Sequence, residues 1–191
     1  MHGHAPILLE TARLRLRAST ADDLDRLFEL DSDPEVMRYI TFGEPTPREV
    51  YQRVILPRWL AAAADPRLGY FVAEDRASGE FLGWFHLRPD RFDPGEQELG
   101  YRLARRCWGQ GYATEGAQAL VDHGFRVVEA PKLTARTMAG NLRSQAVMRK
   151  CGLAYECDFV YPEDVLAGRD EAERAAVKYS LTRLDWLSRQ V

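Results

Sequence analysis

The residues with the clearest chemical potential are two glycines between a strand-like run and a helical one. The segment reads ELGYRLARRCWGQGYATEGAQALVDHGF over residues 98–125, with Gly109 and Gly111 in its turn. A helix that begins directly after such a turn has unpaired backbone N–H groups, and its dipole places partial positive charge there. Glycine permits positive φ and close approach, so this turn could bind a phosphate or pyrophosphate. It could equally be a tight connection that binds no ligand.

Two other phosphate-binding motifs do not fit this segment. A P-loop requires a Lys-Ser or Lys-Thr pair after its glycines, and no such pair follows these glycines. A dinucleotide fingerprint requires GxGxxG near the start of a repeated βαβ unit with an acidic residue about 20 positions later. Here the glycines lie in the middle of the chain, and the next strand-like run starts at Lys132.

Cysteines and histidines give no metal-binding pattern. Cys107, Cys151 and Cys157 lack CxxC spacing, so each is expected to be a small buried hydrophobic side chain. His2 and His4 lie at a terminus that is expected to fray, and no HExxH pair is present. The sequence therefore predicts neither a metal site nor a disulfide framework.

The elements that must position the glycines follow from periodicity. Apolar residues at helical spacing from Ala113 to Val128 predict a helix of about four turns. Upstream, Thr46, Pro47 and Glu49 predict a helix with Thr46 as N-cap, bent or broken at Pro57. Strands are expected at 13–17, 70–74, 81–87, 98–103, 132–138, 153–161 and 176–183. The order is β-α-α-β-β-β-α-β-α-β-β, a single mixed α/β domain over residues 1–191.

Composition limits the class of partner. The 191 residues include 26 basic and 29 acidic side chains, a net charge of −3 that argues against a nucleic-acid clamp. No apolar stretch approaches the roughly 18 residues of a membrane span, and the first residues show no signal-peptide core. We therefore expect a cytoplasmic protein that contacts neither nucleic acid nor membrane.

The glycine segment resembles the acyl-coenzyme A-binding segment of the GNAT acetyltransferases, whose signature is Gln/Arg-x-x-Gly-x-Gly/Ala. Gly111 and Ala113 match it, while Trp108 replaces the usual Gln or Arg. Tryptophan is common there in the branch of ribosomal-protein alanine and serine N-acetyltransferases, which ELGY…WGQGYATEG is similar to. A second motif, from Asn141 through Ser144 to Cys151-Gly152-Leu153, resembles the family's N-x-x-[AS]…K-x-G-[FL] segment. The resemblance covers nearly the whole chain.

This resemblance implies direct acetyl transfer from acetyl-coenzyme A (acetyl-CoA) to a primary amine, either a protein N-terminus or a small amine. A non-catalytic acyl-CoA-binding regulatory module is the alternative. By resemblance, Leu103 and Ala104 would pair with the pantetheine arm, and the same strand would supply the oxyanion donor. The expected cofactor-binding residues are Leu103, Ala104, Trp108, Gly109, Gln110, Gly111, Tyr112, Ala113, Thr114, Asn141 and Ser144.

The proton-transfer groups are less well defined by the sequence. Glu98 is the candidate base, directly or through water; it could instead be a solvated strand-end charge or an ion-pair partner. His86 is the rival base, or a satisfied core histidine. Many GNAT enzymes have a tyrosine seven residues after the asparagine, where this chain has Met148. Ser144 is therefore the expected donor to the leaving thiolate, or a serine that satisfies backbone groups.

The acceptor is expected beside the first helices, at Tyr39, Ile40, Thr41, Phe42, Gly43 and Trp59. Arg102, Arg105 and Arg106 could steer an anionic cofactor or form a solvated face. Glu115 is expected to be structural. A homodimer is possible by resemblance, with a C-terminal strand near Trp186 contributing to it.

Overall fold

A single eight-stranded mixed sheet forms the centre of the molecule. The computed structural model describes residues 5–62 and 65–190, so the expectation for His2 and His4 lies outside the described residues. The strand order is β1-β2-β3-β4-β5-β6-β8-β7. The strands are β1 (Ile7–Glu10), β2 (Leu14–Ala18), β3 (Gly69–Asp75), β4 (Phe81–Pro89), β5 (Gln97–Leu103), β6 (Lys132–Met138), β7 (Ala154–Val160) and β8 (Ala175–Thr182).

The helices divide between the two faces of the sheet. They are α1 (Leu24–Leu30), α2 (Pro34–Met37), α3 (Arg48–Val50), α4 (Leu56–Ala61), α5 (Tyr112–Arg126), α6 (Leu142–Lys150) and α7 (Arg183–Ser188). Successive strand residues point to opposite faces. Trp84 and His86 of β4 accordingly face α1 to α4. Phe85 points to the other face and lies under Gly116 of α5, so closely that a Cβ added to Gly116 would collide with the Phe85 ring. The mixed α/β class predicted from the sequence is confirmed.

The sheet opens between β5 and β6. These two parallel strands pair only at Gln97↔Leu133 and Glu98↔Thr134. Beyond Glu98, β5 continues along β4 to Leu103, while β6 runs antiparallel to β8. Within the described residues, the side of β5 beyond Leu99 therefore has no strand partner. We call this opening the wedge.

Several predicted boundaries are wrong at the chain's two ends. The sequence analysis missed β1, which forms a hairpin with β2. Residues after Thr182 form α7 rather than more strand, and its Trp186 is buried, stacking on Phe125 at 5.3 Å and donating to Asp122. The proposed contribution of Trp186 to a dimer strand is thus wrong, because its ring lies in the protomer's own core.

The bend predicted near Pro57 is present, but its form differs. Pro47, not Thr46, is the N-cap of α3, which begins at Arg48. A π-helical turn, Tyr51–Ile55, then joins α3 to α4, with the Leu56 N–H donating to the Tyr51 carbonyl. Pro57 has no N–H to continue α-helical bonding, which accounts for the irregular turn just before it. No helix in the described residues is long and apolar enough to cross a membrane.

Candidate active site

The turn at residues 108–111, which we call the glycine loop, presents free backbone donors. Gly109 has φ +73° and Gly111 φ +87°, and Gly111 caps α5 in the left-handed conformation. In the described structure, no N–H group of residues 109–114 donates to a protein acceptor. The first internal bond of this helix runs from the Glu115 N–H to the Gly111 carbonyl at 3.0 Å. The donors expected from the sequence are therefore unpaired.

Polar contacts with the β1–β2 turn hold the glycine loop in place. Glu115 accepts hydrogen bonds from the Thr11 hydroxyl at 2.6 Å and from the Arg13 backbone N–H at 2.9 Å. The Arg13 guanidinium binds the other Glu115 oxygen at 2.7 Å and donates to the Gln110 carbonyl at 2.9 Å. Glu115 thus has the structural role that was expected for it.

The open edge of β5 offers further backbone groups, but not at Ala104. The Ala104 N–H donates to the Leu82 carbonyl of β4, and its own carbonyl accepts from Cys107. The expectation that Ala104 pairs with pantetheine is therefore wrong for its N–H. Antiparallel strands alternate the direction of their backbone groups, so the N–H groups of Tyr101 and Leu103 face the wedge, whereas that of Leu99 takes part in the pairing with Thr134. The Leu103 carbonyl accepts from the Trp108 indole at 2.8 Å.

Glu98 lies at the closed end of the wedge, is buried and carries ion pairs. Its carboxylate bonds the Arg88 guanidinium and lies 3.7 Å from Arg136. Burial raises the pKa of Glu98, while the two arginines act in the opposite direction. The alternative of a solvated strand-end charge is wrong, because the residue is only 7% exposed.

An ion-pair network continues from Glu98 below the wedge. Oxygen atoms of Asp90, Asp93 and Glu96 lie within 4.8 Å of one another. Arg136 binds Asp90 at 2.5 Å and also binds Asp93, and Lys178 reaches Asp93 at 2.8 Å and Glu96 at 3.0 Å. Protein cations therefore already compensate these acids.

His86 lies directly over the β5 backbone next to Glu98. A Cβ on Gly100 would come within 2.6 Å of the His86 ring, so only glycine fits beneath it. Its Nε2 is 3.9 Å from a Glu98 oxygen, and neither buried ring nitrogen has a hydrogen-bond partner in the described structure. The description of a satisfied core histidine is therefore wrong. Burial first, and then Arg88 and Arg102, lower the pKa of His86 well below its usual value.

A cavity of about 310 Å³ opens on the face of the sheet that carries His86. It is lined by Asp31, Met37, Ile40, Thr41, Thr46, Tyr51, Ile55, Trp59, Tyr70, Trp84, His86 and Arg102, and we call it the aromatic cavity. The residues expected at the acceptor are divided: Ile40, Thr41 and Trp59 line it. Tyr39 and Phe42 instead line a second cavity of about 380 Å³ beside Met138 and Gly140.

Side chains from α6 approach the wedge on the other face. Asn141 caps α6 by accepting from the Ser144 N–H at 3.2 Å. The Ser144 hydroxyl lies 3.5 Å from that of Tyr101, whereas Met148 is buried. Sequence reasoning missed Tyr101. Its strand position, two residues before Leu103, could have placed its side chain on the same face as Leu103.

The arginines predicted to steer the cofactor have protein partners. Arg102 pairs with Asp31, Arg105 lies 3.4 Å from Asp33, and Arg106 lies 2.8 Å from Glu80. Arg143 of α6 lies over the Trp108 ring at 5.7 Å. Of the cysteines, Cys107 and Cys151 are buried as expected, whereas Cys157 on β7 is exposed, so that expectation was wrong.

The wedge, the free helix N-terminus and the cavity on the opposite face together define an acyltransferase-like architecture. The acetyltransferase (GNAT) domain model matches residues 13–154, and the chain belongs to this family. It is an acetyl-CoA-dependent N-acetyltransferase that uses acetyl-CoA as cosubstrate.

Three similar proteins illustrate the range of the family. The FsC-acetyl coenzyme A-N(2)-transacetylase of Aspergillus fumigatus is 35% identical over 190 residues, covering 95% of this chain and 79% of that protein. A putative ribosomal N-acetyltransferase YdaF of Bacillus subtilis is 25% identical, over 75% and 79% of the two chains. The Vibrio cholerae spermidine N-acetyltransferase, solved with CoA and spermine, superposes with TM-score 0.73 at 19% identity, over 93% and 99% of the chains.

The burial of His86 makes fold stability depend on pH. Because its pKa is lowered in the folded state, the unfolded chain binds more protons below about pH 6.5, and this histidine's contribution falls as pH decreases. We expect the free energy of unfolding, measured with urea, to fall less between about pH 7 and pH 5 in His86→Gln than in the wild type. The control is His123→Gln on α5. If the free energy of unfolding of His86→Gln depended on pH as strongly as that of the wild type, the result would contradict this assignment.

Proposed function

We propose that the chain transfers the acetyl group of acetyl-CoA to a primary amine in the aromatic cavity, by direct attack in a ternary complex. The observation that carries this proposal is the meeting of two features at Gly100. The open edge of β5 faces the wedge at that point, and the His86 ring covers its other side. A thioester in the wedge and an amine in the cavity would then approach each other across one strand.

The cofactor residues fit the parts of acetyl-CoA. The free N–H groups of residues 109–114 suit a pyrophosphate, since they lie unpaired at the start of α5. The N–H groups of Tyr101 and Leu103 suit the pantetheine amides and the oxyanion of the tetrahedral intermediate. Trp108, Asn141 and Ser144 would border the arm, and Arg143 adds positive charge beside Trp108.

A substitution at Gly111 tests this placement. A Cβ there would meet the Arg13 guanidinium at 3.3 Å in a backbone with φ +87°, so Gly111→Ala should displace the donors. In the wild type, acetyl-CoA at 100 times its Kd should stabilise the fold by about 2.7 kcal/mol. We expect Gly111→Ala to lose most of the resulting rise in Tm.

Gly168→Ala is the matched control, because Gly168 also has φ +74° with no atom within 4 Å of an added Cβ, and it lies in the connection between β7 and β8. It should carry a similar backbone strain and keep the full ligand-induced shift. An equal shift in both variants would place the cofactor elsewhere.

Glu98 is the proposed base. The amine must lose a proton as its nitrogen bonds to the acetyl carbon, while the C–S electron pair leaves on sulfur. Glu98 lies on the cavity face of β5, with the buried His86 ring between its carboxylate and the cavity. A water or His86 would carry the proton to it. His86 itself is the alternative base.

The pH dependence of Glu98→Gln separates these roles. If ionised Glu98 is the base, the rate should rise with pH through the raised pKa of Glu98. Glutamine does not ionise, so Glu98→Gln should lack this acidic limb of the pH–rate profile. We expect kcat to fall about 100-fold with acetyl-CoA affinity unchanged. Glu96→Gln, which removes another acid of the same network, is the control. A preserved acidic limb in Glu98→Gln would transfer the base role to His86.

The proposed acceptor is a primary amine. A protein N-terminus is one such amine, and the similarity to a putative ribosomal N-acetyltransferase supports it. The FsC and spermidine relatives support small amines as well. Met148 in place of the usual tyrosine favoured a non-catalytic acyl-CoA-binding module as the alternative from sequence, but the acetyltransferase (GNAT) domain match and the FsC relative support an enzyme. Release of free thiol from acetyl-CoA in the presence of each amine of a panel tests which primary amines are acceptors.

A further inference from the structure

The aromatic cavity is lined by packed aromatic rings. Trp59 and Tyr70 stack face to face, with ring centroids 4.3 Å apart and planes 6° from parallel. Trp84 meets Trp59 edge-on at 5.1 Å, and its ring lies 5.7 Å from that of His86. These rings form a continuous apolar surface along β3 and β4, to which α4 contributes Trp59.

The same cavity has no net charge. Its charged lining residues are Asp31 and Arg102, and they pair with each other. Asp31 also accepts from the buried Tyr51 hydroxyl at 2.6 Å, and Arg102 lies 5.0 Å above the Trp84 ring. No uncompensated carboxylate among the lining residues is therefore available for an additional cation.

Five buried side-chain atoms of the lining residues lack hydrogen-bond partners in the described structure. They are Asp31 Oδ1, Trp84 Nε1, Arg102 Nε and both ring nitrogens of His86. The one carboxylate oxygen among them belongs to Asp31, whose charge Arg102 already compensates. These atoms can form hydrogen bonds with a ligand, but they offer no counter-ion for a second ammonium group.

We propose that the aromatic cavity selects acceptors that carry a single amine on a flat, otherwise uncharged body, and discriminates against polyamines. This inference rests on the proposed function. A second ammonium group would lose its hydration without gaining a counter-ion, which is unfavourable. An aromatic or planar apolar body would instead pack against the free faces and edges of Trp59, Tyr70 and Trp84.

A matched pair of acceptors tests the proposal. 2-Phenylethylamine and 2-[4-(aminomethyl)phenyl]ethylamine share one body and differ in a second ammonium group. With acetyl-CoA saturating, we expect kcat/KM to be about tenfold or more lower for the diamine, and lower still for spermidine. Trp84→Leu should reduce turnover of 2-phenylethylamine, while Tyr155→Leu, an exposed aromatic on β7, should not.

The outcomes distinguish this proposal from the function it rests on. Equal or faster turnover of the diamine would overturn the selectivity and leave acetyl transfer intact. Binding of acetyl-CoA without acetylation of any amine would overturn the proposed function, and this selectivity with it.

A separate observation concerns the leaving thiolate. The hydroxyls of Tyr101 and Ser144 face each other at 3.5 Å, a distance too long for a strong hydrogen bond, so both retain the capacity to donate. Tyr101 is half-buried on the wedge side of β5, and Ser144 lies in the first turn of α6. Met148, at the usual tyrosine position, has no donor.

We infer that Tyr101 donates a hydrogen bond to the sulfur of coenzyme A as the C–S bond breaks. This too rests on the proposed function. The electron pair of that bond goes to sulfur, the amine proton goes to the base, and the thiolate takes its proton from solvent. Burial raises the pKa of Tyr101 to about 12, so the phenol stays protonated across the working pH range.

Tyr101→Phe should lower kcat by roughly 10- to 100-fold, the loss of a hydrogen bond to a charged group, with acetyl-CoA affinity unchanged. Tyr155→Phe, the loss of an exposed phenol on β7, is the control. Fluorotyrosines at position 101 should change kcat in step with phenol acidity, which a structural role would not produce. Wild-type kcat in Tyr101→Phe, or no dependence on acidity, would overturn the assignment.

Discussion

The separation of β5 from β6 after Glu98 is the constraint on which the rest of the structure depends. Two strands that pair at only two positions must be anchored firmly there, or the opening would extend or close. Arg136 of β6 provides this anchor: its side chain is fully buried and binds Asp90, which also accepts from the Thr134 hydroxyl at 2.6 Å. A buried ion pair of this kind is costly to break because it leaves an uncompensated charge. The network thus fixes where the wedge begins.

The side chains on the two faces of β5 serve different parts of the site. Leu99, Tyr101 and Leu103 present side chains toward α5 and α6, whereas Glu98, Gly100 and Arg102 lie on the face of the sheet that carries the aromatic cavity. The acceptor side is built largely from α1 to α4 and β3 to β4, and the cofactor side from α5 and α6. One can therefore change without displacing the other, which suits a family whose members acetylate different amines.

Local signals made the cofactor side predictable. The glycines at 109 and 111 reveal a helix start directly, and the helix from Tyr112 follows from its apolar spacing. The free donors of residues 109–114 could therefore be assigned from the sequence. Ala104 was misjudged because backbone direction depends on strand register, which the sequence does not specify.

The acceptor side depends on contacts between distant residues, which composition cannot reveal. Asp31, Tyr51 and Arg102 meet through three separate elements, and the π-helical turn that carries Tyr51 has no clear pattern beyond Pro57. The burial of His86 and the pairing of Glu98 with Arg88 likewise follow from sheet register. The first hairpin was missed because β1 is only four residues long.

The fit of His86 over Gly100 has a consequence for how this protein can evolve. Any side chain at position 100 would occupy the space of the imidazole ring, since its Cβ alone would lie 2.6 Å from Cε1. A mutation at position 100 is therefore tolerated only after residue 86 has become smaller, so the order of substitutions matters. The two positions form an epistatic pair across neighbouring strands. Substitution at position 86 has to come before substitution at position 100.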